Sequence, residues 1–141
     1  MSIIGLILTA LAFGATVGDV NEFIDIPSII IVVGGTIGML IFGGSSLSTM
    51  FKGVYSSDDT VGKLTTAAKG WKMSRDYTLA WGGISTLIGG VLIRKYLEDP
   101  AALGLGTALA ILTVLYAFVL SFAVYLPLQS RLEDRIKLVV P

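Results

Sequence analysis

Residues 99–128 read DPAALGLGTALAILTVLYAFVLSFAVYLPL, with no charged side chain after Asp99. The 28 residues from 101 to 128 exceed the ~20 that a helix needs to cross a hydrocarbon core. This stretch therefore reads as a transmembrane helix that tilts or extends beyond the bilayer. Working outward, three more apolar stretches predict further spans, at about 3–17, 26–44 and 78–93. The first is short and ends in Gly18-Asp19. The second opens on Asp25, a good N-cap, and Pro27, whose missing N–H costs nothing in a first turn. The third is closed by Arg94 and Lys95, which can snorkel to the interface. The expected fold is an all-α membrane protein of four transmembrane helices. Residues 1–141 form one transmembrane domain, with a loop over about 45–77 and a tail over 129–141.

Composition supports this class. The chain is 54% hydrophobic and 14% charged, with a mean hydropathy of +0.84, whereas globular chains carry about 25% charged residues. The formal net charge is zero, so nothing points to a nucleic-acid partner. There is no cysteine and no histidine, which excludes disulfides, thiolate metal sites and the usual proton shuttle. The N-terminus lacks the basic region and cleavage site of a signal peptide, so the first span is expected to be retained.

The ten acidic residues are Asp19, Glu22, Asp25, Asp58, Asp59, Asp76, Glu98, Asp99, Glu133 and Asp134, and none falls inside a predicted span. If the bundle moves ions, another chain must supply the carboxylate at membrane depth. Eight of the ten basic residues lie on one side: Lys52, Lys63, Lys69, Lys72 and Arg75 in the loop, Arg131, Arg135 and Lys137 in the tail. The positive-inside rule makes that side cytoplasmic, with both termini inside. Within the loop, residues 60–75 place Val61, Leu64, Ala68 and Trp71 at helical spacing. This fits an amphipathic helix at the inner leaflet, and equally a solvated basic linker. Trp71, Tyr77, Trp81, Tyr96 and Tyr125 read as interfacial anchors.

Small residues mark the expected helix contacts. In the third span Gly82, Thr86 and Gly90 recur every four residues, with Ser85 and Gly89 on the neighbouring row. In the fourth, Thr113, Ala117 and Ser121 repeat the pattern. Such stripes let backbones approach in lipid. Their bland interpretation is packing, whereas the functional one makes Thr86 and Thr113 line a seam where a partner's carboxylate and its ion are held. Gly34-Gly35-Thr36-Ile37-Gly38 lacks the lysine and the strand–loop–helix setting of a phosphate loop, so Gly34, Gly35 and Gly38 are read as packing positions. Glu98-Asp99, next to Pro100, reads as a turn and helix cap.

Two segments together resemble the MotA family of flagellar stator subunits, within the wider MotA/TolQ/ExbB group of proton channels. Residues 23–40, FIDIPSIIIVVGGTIGML, look like that family's second-helix signature. Residues 99–128 are similar to its fourth helix, and GGISTLIGG at 82–90 to its third. The resemblance implies a homo-oligomeric ring of about five copies around single-span MotB/ExbD-like subunits that carry the essential aspartate. Helices three and four would line the interior, and ion flow would drive rotation. By position, Thr86 matches the family's third-helix threonine and Pro127 the proline at the cytoplasmic end of helix four. The ion-pathway or partner-facing set is then Thr86, Thr113, Ser85, Ala117 and Pro127, and the packing set Gly34, Gly35, Gly38, Gly82 and Gly90. The family's fourth-helix threonine corresponds to Val114, with Thr113 just before it, and its third-helix proline to Leu79. The loop between spans two and three is much shorter than in MotA proteins.

The resemblance thus implies an A-type ring subunit of an ion-driven rotary motor in the bacterial inner membrane. It implies no enzymatic activity and no cofactor beyond transported H+ or Na+. Competing readings are a TolQ/ExbB-like energiser of the cell envelope and a small non-motor four-helix membrane protein. A small exporter of this size would need a membrane-embedded glutamate, which is absent.

Overall fold

A computed structural model describes residues 11, 14, 20–56, 60–95 and 97–139. Every regular element among them is helical. The first expected span, 3–17, lies outside the described residues apart from Leu11 and Gly14. After a 3-10 turn at Val20–Phe23, helix α1 runs over Ile26–Phe42, α2 over Leu47–Tyr55 and α3 over Val61–Lys95. Helix α4 covers residues 100–139 as Pro100–Val119, a π-helical stretch at Leu120–Tyr125, and Leu126–Val139.

Each boundary has a local cause. Asp25 caps α1, its Oδ2 accepting from the Ser28 backbone N–H at 2.9 Å, and Pro27 sits in the first turn. The other end closes through Gly44, whose φ of +73° favours glycine. There the Ser45 N–H reaches Leu40 O and the Gly44 N–H reaches Ile41 O, a Schellman closure. The chain then turns aside, and α2 lies at 101° to α1. Helix α4 starts at Pro100 after the Leu97-Glu98 turn, as the Asp99-Pro100 pair predicts. Near its middle, Pro127 cannot donate to the carbonyl four residues earlier. The π-helical stretch Leu120–Tyr125 just ahead of it widens the helix where that bond is missing.

Helices α3 and α4 are antiparallel: Gly89 lies against Ala110, Gly82 against Ala117, and Ser121 Oγ reaches Arg75 O at 3.3 Å. At about 1.5 Å per residue they are roughly 50 and 60 Å long, well beyond a hydrocarbon core of about 30 Å. Residues 61–75 therefore do not form a separate surface helix; they run unbroken into the upper part of α3. No proline or capping residue interrupts the stretch, so propagation continues. The in-plane direction relative to α1 is taken by α2 instead.

The molecule divides into a polar half and an apolar half. The polar half consists of α2, the start of α3 and the end of α4. It encloses a core of Leu40, Met50, Val54, Leu64, Ala67, Ala68, Trp71 and Leu132. Trp71 is thus a core residue, not an interfacial anchor: it is 4% exposed, its Nε1 donates to Met50 O at 3.2 Å, and Phe51 meets it edge-on. Arg135 ties α4 to the end of α2 by donating to Gly53 O at 2.9 Å and Ser56 O at 3.0 Å. In the apolar half large side chains point outward instead, among them Ile84, Leu87, Val91, Leu105, Ile111 and Phe118. Among the described residues, Leu103–Val139 is long and apolar enough to cross a membrane, and Ile26–Phe42 joins it if its bend into α2 is taken as a broken span. The upper part of α3, the expected third span, is diluted by four glycines, Ser85 and Thr86.

Candidate functional site

The α3–α4 seam holds most of the residues singled out from sequence. A Cβ added to Gly82 would lie 2.4 Å from the Ala117 Cβ, and one on Gly89 would lie 2.7 Å from the Ala110 Cβ and 2.8 Å from Gly106 O. The backbones approach this closely because only hydrogen stands between them. Gly82 and Gly89 are seven residues apart, close to two full turns, so they share a face; Gly90 falls about 80° further round. Accordingly an added Cβ on Gly90 would meet nothing within 4 Å. The same holds for Gly34 and Gly38, whereas a Cβ added to Gly35 would lie 2.4 Å from the nearest carbon of the Trp81 ring. Among the described residues, then, Gly82 and Gly35 are close-packing positions, while Gly34, Gly38 and Gly90 meet no close neighbour. Gly89 belongs with the first group.

Thr86 sits between these glycine contacts, half-buried. Its Oγ1 donates to Gly82 O at 2.9 Å and lies 3.2 Å from Ala110 O on the facing helix. One proton is thus shared between two carbonyls, and the oxygen lone pairs remain available to accept a bond. Thr113 and Ser85 have no exposed surface, and Ala117 is 2% exposed. Thr113 Oγ1 donates to Leu109 O at 2.6 Å and Ser85 Oγ to Trp81 O at 2.7 Å. These three are closed between the chain's own helices. Val114, next to Thr113, is half-buried, and so is Pro127 in the last part of α4. Of the five positions expected to line an ion pathway, Thr86 and Pro127 are half-buried and keep exposed surface.

Two polar contacts between spans were not singled out from sequence. Thr36 Oγ1 donates to Val32 O at 2.7 Å and lies 2.7 Å from Thr78 Oγ1, all of it buried. Either hydroxyl can donate in the bond between them. This joins α1 to α3 beside the π-helical stretch Ile30–Gly34. The second contact is the Tyr116 hydroxyl of α4, which donates to Phe23 O and accepts from the Asp25 N–H, the latter at 2.9 Å. It locks the start of α1 against α4. Hydroxyls inside apolar runs are the signal for both, since each needs a partner in a dry setting. Their pairing across spans is invisible in one dimension.

Among the described residues the seam contains no carboxylate, and the Tyr125 phenol, beside Trp71, is a titratable group within it. Asp25 is occupied as a cap, and Asp76 accepts from Arg75 at the polar–apolar boundary, 3.1 Å away. Among the described residues no cluster of three or more carboxylate, imidazole or thiol groups could hold a metal. The seam can accept a hydrogen bond and admit close contact. It offers no carboxylate for binding and releasing a proton.

No family model matches the chain. It is 38% identical over 71 residues to Motility protein A of Aquifex aeolicus, covering 50% of this chain and 28% of that protein. It is 40% identical over 60 residues to chemotaxis protein PomA of Vibrio alginolyticus, covering 43% and 24%. An uncharacterized protein, YtxD of Bacillus subtilis, is 43% identical over 60 residues, covering 43% and 22%. The chain thus spans about a quarter of the length of the curated relatives it matches, and it is MotA-like over about half of its own length.

Proposed function

We propose that this chain is an A-type ring subunit of an ion-driven motor, working in a bacterial inner membrane around a single-span B-type partner that supplies the membrane aspartate. The observation that carries this is a close-packed, hydroxyl-bearing seam with no carboxylate, in a chain similar to Motility protein A. A proton or sodium pathway needs a group that alternates between charged and neutral states, and the seam offers only acceptors. In this scheme Thr86 accepts from the partner's protonated aspartate, or turns its oxygen toward the ion, while its own proton stays on the α3–α4 backbone. Ring assembly of about five copies would use the outward-facing apolar surface and the open glycines Gly34, Gly38 and Gly90. Four spans with both termini cytoplasmic complete the proposal, and no cofactor enters it.

The test is ion flux in liposomes containing the purified chain, with and without a single-span partner bearing a membrane aspartate. Flux is expected only with both, and native mass spectrometry is expected to count about five copies of this chain per complex. Strong proton or sodium flux from the chain alone would overturn the proposal. A TolQ/ExbB-like role is the second reading. It is favoured by the compactness of the polar half, which leaves only α2 and the lower part of α3 between the second and third spans. Motility restored in a stator-deficient strain would select the flagellar load, and restored envelope function with no motility would select the other.

A further inference from the structure

We infer that the cavity between the α1–α2 turn and α3 binds the phosphate of an anionic lipid headgroup. This rests on the reading that the apolar half lies in a bilayer. The cavity has a volume of about 270 Å³ and is lined by Gly43, Gly44, Ser45, Ser46, Met50, Thr66, Lys69, Gly70 and Met73. Its lining carries one cation, three hydroxyls and no carboxylate. Lys69 is exposed, and among the described residues it forms no hydrogen bond or ion pair. Ser46 Oγ accepts a long bond from the Thr49 N–H at 3.4 Å, which leaves its own proton to give.

The position supplies the second argument. The cavity opens where α1 ends its apolar run at Phe42, a residue 90% exposed, and where α2 turns aside by 101°. With α1 crossing the bilayer, α2 lies along its surface, and Phe42 and Phe51 (52% exposed) enter the acyl boundary. The cavity is then at headgroup depth, and an ammonium there attracts anionic lipid. Gly70 lets Met50 close the floor of the cavity, since a Cβ on it would lie 2.5 Å from the Met50 side chain. The ligand chemistry is a phosphate monoanion or diester, held by the Lys69 ammonium and the Ser46 hydroxyl.

Native mass spectrometry of the full chain from detergent, with equimolar phosphatidylglycerol and phosphatidylcholine added, tests the assignment. The chain should retain phosphatidylglycerol in preference. Lys69→Gln should reduce that retention about tenfold, while Lys72→Gln, outside the cavity, should leave it unchanged. Ser46→Ala preserves net charge and should lower retention about threefold, while Thr66→Ala, whose hydroxyl donates to Gly62 O at 2.8 Å, should leave it nearly unchanged. Inorganic phosphate should not displace the lipid; displacement at equal concentration would identify free phosphate as the ligand and overturn the lipid assignment. Equal losses in the Lys69 and Lys72 variants, or equal retention of the two lipids, would also overturn it. Lys69-dependent retention in a chain that gives no ion flux with any partner would keep this site and remove the motor reading.

Discussion

The polar and apolar halves of this molecule are held together by opposite means. In the polar half large side chains turn inward: Leu64 and Leu132 have no exposed surface, and Trp71 is closed among Met50, Phe51 and Tyr125. This arrangement draws on the removal of apolar surface from water, about 25 cal/mol per Å². In the apolar half many large side chains face out, although Val32, Leu109 and Leu112 are buried, and the closest inner contacts are Gly82 on Ala117 and Gly89 on Ala110. Lipid tails are as apolar as leucine, so burying a leucine there brings no gain, and packing of small residues decides association. Hydroxyls follow the same division. Thr36, Thr78, Ser85, Thr86 and Thr113 are all bonded to carbonyls or to each other. The only buried side-chain atom left without a partner among the described residues is Gln129 Oε1, in the polar half.

The largest expected effect tests the water-facing side of this contrast. Leu64→Ala should destabilise the fold by about 2–5 kcal/mol, through lost burial and an unfilled cavity. Denaturant unfolding followed by tryptophan fluorescence measures it. A cost under about 1 kcal/mol would mean that the polar half is not a core of the ordinary aqueous kind.

Next comes a pair that probes the seam. Gly89→Val should cost about 1–3 kcal/mol, since its Cβ meets backbone atoms that have no room to yield. Gly90→Val, one residue on and in open space, should stay within about 0.5 kcal/mol in the isolated chain. Thermal unfolding in detergent compares the two. Equal costs would show that the helix face is rotated from the one described. A loss of oligomer in Gly90→Val alone would sharpen the contrast by assigning the open glycines to contacts between copies.

A smaller effect concerns the tie between α2 and α4. Arg135→Gln should cost about 1 kcal/mol, because it removes a charged double donor from the end of a helix. Hydrogen exchange at residues 50–56 should speed up while the α3 seam is unaffected. Unchanged exchange there would make the Arg135 contact energetically idle.

A smaller change in stability than for Arg135→Gln is expected for Thr86→Val, at about 0.6 kcal/mol, the average for interhelical bonds in membrane proteins. Assembly should survive, while ion-driven activity with the partner falls sharply. Thr113→Val should affect activity less, since its hydroxyl is closed inside the chain. Complex yield and flux, measured on both variants, separate the two. Full activity in Thr86→Val would reduce the seam to packing.

How far the sequence carried the fold can be judged residue by residue. Asp25 and Pro27 announce the start of α1, Asp99-Pro100 the start of α4, and the apolar run behind the latter its length and class. These signals are local, arising from missing N–H groups, capping oxygens and hydropathy, so one dimension suffices. The absence of acids from the predicted spans is also complete in the sequence. Tertiary structure decided the rest. It merged residues 61–75 into α3, placed Trp71 in a core, chose Gly89 over Gly90, and closed Thr113 and Ser85 while leaving Thr86 accessible. It also paired Thr36 with Thr78 and Tyr116 with Asp25. Each of these depends on the rotation of one helix against another, where a single residue of register turns a face by about 100°. Composition does not encode that angle; the fit of glycine, alanine and hydroxyl groups between neighbouring backbones does.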